Sequence, residues 1–336
     1  MKKSFVAFVC FLSALWCGVA TAGESRTLCV YDPSGANGDA YATMKDYQVA
    51  ASQWGVDFTL KPYTNEKTAS DDFKAKKCDA VFLTGLRARS FSKFASTLEA
   101  LGALPSYELL GEAIKLLAQP NDKLAALLKK GGYETAMIMP MGAVYLMVRD
   151  RNWKSIEDIA GKRITTIDFD EAAIHMVKLV GASMVSADIS TFAGIFNNGA
   201  ADICYSPATA FKPLELEKGV KDKGGVVRYP IAQLTGQVLL HSDRFADDFG
   251  AKSRTYGAES FQKTVELSTK ADASVKDAYW IDISKADRDR YDQIFLDVRI
   301  KLRDDLKVYD KTMLGLMRRL RCQADKTRSE CAQKKE

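Results

Sequence analysis

Two rounds of alternating β and α segments, one before about residue 140 and one after residue 160, predict an α/β protein of two lobes, completed by C-terminal helices. Length agrees, since 336 residues is about two domains at roughly 150 residues each. Composition agrees as well: 47% hydrophobic and 27% charged residues, with only 8 prolines, describe a folded chain and exclude a disordered or collagen-like one.

The first round opens with the apolar run 27–31, followed by a loop over 32–39 and a helical stretch through Ala50. Residues 56–63 read as the second strand, 71–77 as a helix end and 80–84 as the third strand, after which 136–148 is apolar. The second round runs from a strand at 163–168 into a helix at 170–180 that Gly181 stops, then strand 184–187, helix 189–197 and strand 202–205. Residues 226–240 read as extended chain returning to the first lobe. Beyond them Tyr291, Phe295, Val298 and Leu302 recur at helical spacing, a stripe that predicts core packing rather than a cofactor box.

The N-terminus carries an address. Lys2 and Lys3 precede an apolar run over 5–19 and the small residues Ala20-Thr21-Ala22, the pattern of a cleaved secretory signal over residues 1–22. At about 15 residues the run is shorter than the ~20 that a membrane-spanning helix needs. The expected destination is an oxidising compartment, the periplasm.

Formal charge is +5, but it lies at the two ends. The signal holds Lys2 and Lys3, and residues 317–336 hold seven Lys/Arg against three Asp/Glu, so the body is near neutral and offers no footprint for nucleic acid. Arg318, Arg319 and Arg321 are expected on a solvated helix end, at the negative pole of its dipole. Past the signal remain Cys29, Cys78, Cys204, Cys322 and Cys331, an odd number. Cys322 with Cys331 is the first expected bridge; Cys29 and Cys78 can meet if their strands are neighbours; Cys204 is then a buried, inert thiol.

Catalytic signatures are missing. His175 and His241 have no ligand-spaced companions, and no G-x-S-x-G, P-loop or C-x-x-C motif occurs, so no metal and no cofactor is expected and the weight falls on a binding protein rather than an enzyme. Gly35-Ala-Asn-Gly38 lacks dinucleotide-binding spacing and reads as a tight turn beside a cleft.

Three stretches carry a resemblance: Ser155-Ile-Glu-Asp-Ile-Ala-Gly-Lys-Arg-Ile164, Gly181-Ala182 and Asn198-Gly-Ala-Ala-Asp202. In this order they resemble the second lobe of the DctP-type solute-binding proteins of TRAP transporters. Cys29-Val-Tyr-Asp-Pro, Lys77-Cys-Asp-Ala-Val, Thr84-Gly-Leu-Arg-Ala-Arg89 and Phe196-Asn-Asn-Gly199 resemble a less characterised group of solute-binding proteins, some labelled as aminoglycoside-resistance efflux proteins. A pump conflicts with a chain that has no spanning segment after its signal.

The resemblance implies a type II-like periplasmic binding protein fold: lobe 1 from 23–143 plus 240–336 with the C-terminal helices, lobe 2 from 144–239. It also implies a small-molecule solute held between the lobes, separately encoded membrane transporter subunits and a monomeric receptor. A periplasmic accessory protein that keeps the fold without transport is the alternative. The family places two arginines on the ligand carboxylate; here those positions hold Tyr145 and Thr165, so the family's acid clamp does not carry over.

Ligands of open α/β sheets sit beyond the carboxyl ends of strands. That rule nominates Asp32 and Ser34, then Thr84, Gly85 and Arg87 in the first lobe, and Thr165, Asp168, Asp170, Ser206 and Thr209 in the second. Each also has a structural reading, such as a helix cap for Asp170 or a turn for Ser34. Asp32, Asp168 and Asp170 would suit a cation, Arg87 and Arg89 an anion, and the sequence leaves both open.

Overall fold

A computed structural model describes residues 23–336; the signal segment expected over 1–22 lies outside the described residues. Eleven strands form one mixed sheet. In chain order they are β1 Glu24–Tyr31, β2 Val56–Tyr63, β3 Ala80–Thr84, β4 Lys129–Lys130, β5 Tyr133–Val148, β6 Arg163–Ile167, β7 Ser183–Ala187, β8 Ile203–Pro207, β9 Gly225–Val227, β10 Ala232–His241 and β11 Trp280–Ile281. The order across the sheet is β2-β1-β3-β10-β5-β8-β6-β7, with the two-residue β4 on β5 and the β9–β11 pair joined to β5.

Burial explains the strand sequences. β3, AVFLT, is buried along its whole length because helices cover both its faces, whereas the edge strand β2 alternates at its start. The lobes are the two ends of this sheet. Parallel β2, β1 and β3 make the first, and parallel β8, β6 and β7 the second. Between them run antiparallel β5 and β10, which belong to both.

β5 pairs with β10 as far as Val144 and with β8 from Val144 to Val148, so the chain changes lobes inside one 16-residue strand. β10 pairs with β3 from Gly236 to Leu240, so the strand that leads back to the first lobe already borders it along its second half. Opposite Gly142 the register between β5 and β10 shifts at Leu234/Thr235. Gly142 takes φ +123°, where a side chain would also press on Pro207, so glycine is required at this bend.

The stripe Tyr291, Phe295, Val298 and Leu302 is buried on helix Lys285–Asp304, which a Ser284–Asp287 capping box starts. This helix braces both lobes. Tyr291 donates to the Lys154 carbonyl at 3.1 Å and Arg290 pairs with Glu157 at 3.0 Å on the second lobe, while Phe295 packs over Gly102 on the first. The expectation that the C-terminal helices brace the first lobe alone is therefore too narrow.

Both expected bridges form, Cys29–Cys78 and Cys322–Cys331, and Cys204 is a buried free thiol whose pKa burial pushes up. Cys29 sits on β1 beside β3, which Cys78 precedes, so strand adjacency brings that pair together. Among the described residues no helix is long and apolar enough to cross a membrane, and no three His, Cys, Asp or Glu side chains are grouped to hold a metal.

The basic tail departs from its expected solvated state. Arg321 is 1% exposed, as is Arg299, and the two converge on Glu330 and Glu336. Arg299 also donates to the Leu101 carbonyl at 2.8 Å and Arg321 to that of Ala103 at 2.6 Å. Charge counting could not anticipate this, because the carbonyls that receive the arginines lie 198 and 218 residues away and a buried arginine is tolerable only when paired and hydrogen-bonded. Burial would raise the Glu330 pKa, but Arg321, Arg299 and Arg328 outweigh it and hold the carboxyl down at about 2.

A depressed carboxyl stabilises the fold above its unfolded pKa and ceases to do so as pH falls toward its folded one. Denaturant melts are therefore expected to show stability falling from about pH 4.5 towards pH 2, with Glu330→Gln flattening that slope. At neutral pH the same substitution is expected to cost about 3 kcal/mol, because it leaves buried arginines short of a partner. An unchanged acid limb would remove the ion cluster from the account of stability.

Candidate functional site

Two cavities flank the crossing strands, one on each face. Alternation along β5 separates them: Val144 and Leu146 face the first, Ala143 and Tyr145 the second.

The first cavity, about 130 Å³, draws its walls from both lobes and from helix Lys285–Asp304. That is close to the ~150 Å³ of cavities known to take up a benzene ring. Its lining is aliphatic and aromatic, including Val144, Leu146, Ile164, Val177 and Phe295, with three charged groups at one end: Arg89, Glu99 and Asp170. Arg89 follows the short helix Gly85–Ala88 of the first lobe, and Asp170 caps helix Glu171–Leu179 of the second by accepting from Ala173 N at 3.1 Å.

Arg89 and Asp170 face one another across the lobes at 3.9 Å, beyond hydrogen-bond length. Within the described residues the Arg89 side chain donates no hydrogen bond, and its Nε is buried without a partner. Glu99 Oε1 accepts from Thr235 N at 2.7 Å and Thr235 Oγ1 at 2.9 Å. Burial pushes its pKa up to about 7, against the lowering pull of Arg89 and of the Thr235 bonds. Burial likewise raises Asp170, with Arg89 opposing it. Gly85 lies so close to Glu99 and Thr235 that no side chain fits there.

Arg89 and Leu86 also line a neighbouring surface pocket, which Lys67, Lys74, Arg87, Lys93 and Lys307 share with the acids Asp71 and Glu171. Arg87 lies 3.5 Å from the centre of the Phe169 ring on the second lobe. Behind it the buried Glu66 accepts from Thr84 N and Oγ1 at 2.8 and 2.7 Å and stands 3.6 Å from Arg87.

The second cavity, about 520 Å³ and open, is lined by Tyr107, Tyr145, Gln233, Asp272, Arg228 and Trp280 among others. Tyr107 and Tyr145 donate to Asp272 Oδ2 at 2.9 and 3.3 Å, and Ala143 N donates to the Tyr107 hydroxyl oxygen at 2.9 Å.

The positions nominated from sequence scatter. Asp170 lines the first cavity, with Gly85 against its Glu99 wall and Arg87 in the neighbouring surface pocket; Thr84 lies behind, bound to Glu66. Tyr145 lines the second cavity. Asp32 is buried and accepts from Ser34 N, Ala40 N and Tyr41 N, fastening the turn into helix Asp39–Ser52, while Ser34 is exposed on that turn. Asp168 is exposed and lines neither cavity. Thr165 is fully buried on the strand face opposite Ile164, its Oγ1 unpartnered. Ser206 pairs across strands with Tyr145 and bonds to the Pro207 carbonyl, and Thr209 bonds to the Met141 carbonyl.

Glu99, Tyr107, Gln233 and Asp272 escaped the strand-end rule because none follows a parallel strand. The one signal was Glu99 itself, a carboxylate between apolar Leu98 and Ala100.

Known proteins share this architecture. A chain of Acinetobacter baumannii described as "Probable solute-binding protein AdeT1" is 37% identical over 303 residues, 90% of this chain and 99% of its own. A TRAP periplasmic solute-binding protein of Desulfovibrio salexigens, solved with bound orotic acid, superposes with a TM-score of 0.71 at 12% identity, covering 89% of this chain and 99% of that one. One from Rhodobacter sphaeroides, solved apo and open, gives 0.69 at 15% identity over 88% and 98%. The family model described as solute-binding protein AdeT 1/2 matches residues 48–336. With its two α/β lobes joined by shared strands, the chain belongs to the AdeT 1/2 solute-binding protein family and has the fold of TRAP periplasmic solute-binding proteins.

Proposed function

We propose that this protein is a monomeric periplasmic receptor that carries a small acid with an apolar body to separately encoded membrane subunits of a TRAP-type transporter, and releases it unchanged. The observation that carries the reading is Arg89: a guanidinium at the end of an apolar cavity, with its Nε buried and unpartnered. A carboxylate accepts from such a fork through two parallel hydrogen bonds, which are among the stronger contacts available to a small ligand. The excess of lysine and arginine in the neighbouring pocket, which shares Arg89 with the cavity, steers anions towards it. Orotic acid, the molecule bound by the Desulfovibrio salexigens protein, is a ring carrying one acid group and belongs to this class.

Lobe closure supplies the mechanism. Lobe 1 spans 23–143 plus 240–336 and lobe 2 spans 144–239, with the boundaries falling inside β5 and near the end of β10, so the bend at Gly142 is the pivot. Arg87 on Phe169 and Arg89 opposite Asp170 are contacts that only the closed arrangement makes, and an acid that engages Arg89 favours that arrangement. Of the sequence-nominated positions, Gly85, Arg87 and Asp170 serve this cavity.

Native mass spectrometry of the purified protein, followed by release and identification of what it carries, tests the reading; a bound acid supports it, and an acid whose affinity Arg89→Gln leaves unchanged overturns it. For the recovered acid, Arg89→Gln is expected to weaken binding by about thirty-fold or more in calorimetry, since a buried charge pair loses one partner. Affinity is also expected to fall as pH rises through about 7, because Glu99 then ionises beside the bound anion. Glu99→Gln is expected to remove that pH dependence.

A further inference from the structure

The second cavity, on the other face of β5 and β10, carries its charge differently, with a partly buried carboxylate and no buried guanidinium. Its one embedded charge is the Asp272 carboxylate, on helix Phe261–Ser274. Two tyrosine hydroxyls hold Oδ2, and Oδ1 is buried with no partner. Arg228, at the rim, is occupied elsewhere: it pairs with Asp282 at 3.0 Å, stands 4.0 Å from Asp277, and lies over the Trp280 ring at 4.9 Å. Asp277 adds a second negative charge at the rim.

Gln233 provides an independent sign of a ligand. It is 1% exposed, and neither Nε2 nor Oε1 has a hydrogen-bond partner. It borders both cavities, but it pairs across the strands with Ala143, which lines this one, so strand alternation puts its side chain on this face. A buried amide left unpaired costs roughly 1–3 kcal/mol per group, a cost that a bound polar molecule relieves. Three aromatic rings, Tyr107, Tyr145 and Trp280, stand around the carboxylate, with Tyr145 edge-on to Trp280 at 5.0 Å. Tyr107 and Tyr145 turn their hydroxyls to the carboxylate and Arg228 lies over Trp280, so the carboxylate supplies the attraction for an organic ammonium ion and the rings its apolar walls.

We propose that this second cavity is a binding site for a small organic cation, a primary or methylated ammonium held by Asp272 among Tyr107, Tyr145 and Trp280, with Gln233 accepting from or donating to its polar substituent. Its volume of about 520 Å³ falls in the ordinary range for small-molecule sites, roughly 300–1,000 Å³. In the first cavity the carboxylates of Asp170 and Glu99 stand beside the buried Arg89, whereas Asp272 has no arginine within ion-pair distance among the described residues. Tyr145 is central to the difference: the resemblance put an arginine at this position, and the tyrosine hydroxyl instead binds a carboxylate.

Choline is the probe, and 3,3-dimethylbutanol, which has its shape without the charge, is the control. Titrations are followed by calorimetry and by the indole N–H signal of Trp280, assigned with Trp280→Phe. Saturable choline binding at about 1 mM or tighter is expected, at least about ten-fold stronger than the neutral analogue, with the Trp280 signal shifting. Asp272→Asn, which keeps an oxygen for the tyrosines, is expected to weaken choline by about ten-fold or more. Equal binding of the neutral analogue to the unmodified protein, choline binding that leaves Trp280 unmoved, or no saturation by about 10 mM would each overturn the proposal. Because choline is tested without any acid present, these outcomes stand apart from those for Arg89.

Discussion

Everything at the centre of this molecule depends on two strands belonging to both lobes. β5 and β10 are antiparallel to each other and to their outer neighbours β8 and β3, so each lobe's parallel sheet is stitched to the same pair. The lobes are therefore joined through these two strands. Strand alternation then fixes what each face can be. Val144 and Leu146 fall towards the arginine cavity, Ala143 and Tyr145 towards the aspartate cavity, and a slip of one residue would exchange the two sets. The bend at Gly142, with its register shift opposite Leu234/Thr235, sits between the stretches that serve the two lobes and is where a change of angle costs least.

Unmet hydrogen bonds gather around the same strands. Arg89 Nε, the Gln233 amide, Thr165 Oγ1 and Asp272 Oδ1 are all buried without partners, each an expense of roughly 1–3 kcal/mol in a closed interior. Others lie away from these strands, at Asn197 Oδ1, Glu217 Oε2 and Arg318 Nε, while Arg254 and Glu134 answer one another at 2.7 Å. Each buried group left short is one that water or a solute can satisfy where it can reach.

Much of this fold was legible because it rests on local signals. The strands at 56–63 and 80–84 are where alternation and apolar runs put them, and the helix stop at Gly181 follows from its φ of +71°. Lobe membership was less legible, since β10 is one continuous extended segment and nothing in its residues marks which neighbour it joins. The cavities were read worst. The strand-end rule nominated Asp170, which lines the first cavity, but also Asp32, whose carboxylate is spent on the backbone N–H groups of Ser34, Ala40 and Tyr41. A carboxylate just after a strand looks the same in sequence whether it serves a ligand or a turn. Glu99, Gln233 and Asp272 reach the cavities from a 3-10 turn, a crossing strand and a late helix, and only their tertiary neighbours give them a role.

The tail shows how distant charge can shape a cavity. Arg299 and Arg321 bind the carbonyls of Leu101 and Ala103, on the loop that carries Leu101 into the wall of the arginine cavity. Glu330 and Glu336 neutralise both guanidinium groups, and Cys322–Cys331 closes the segment that presents Glu330. Without those carboxylates two buried cations would face only carbonyl oxygens, an arrangement too costly to persist. The loop would then lose its fixed backbone partners, and the apolar wall opposite Val144 and Ile164 would lose its shape. The C-terminal charges, which composition alone assigns to solvent, are thus part of what holds one wall of the first cavity in place.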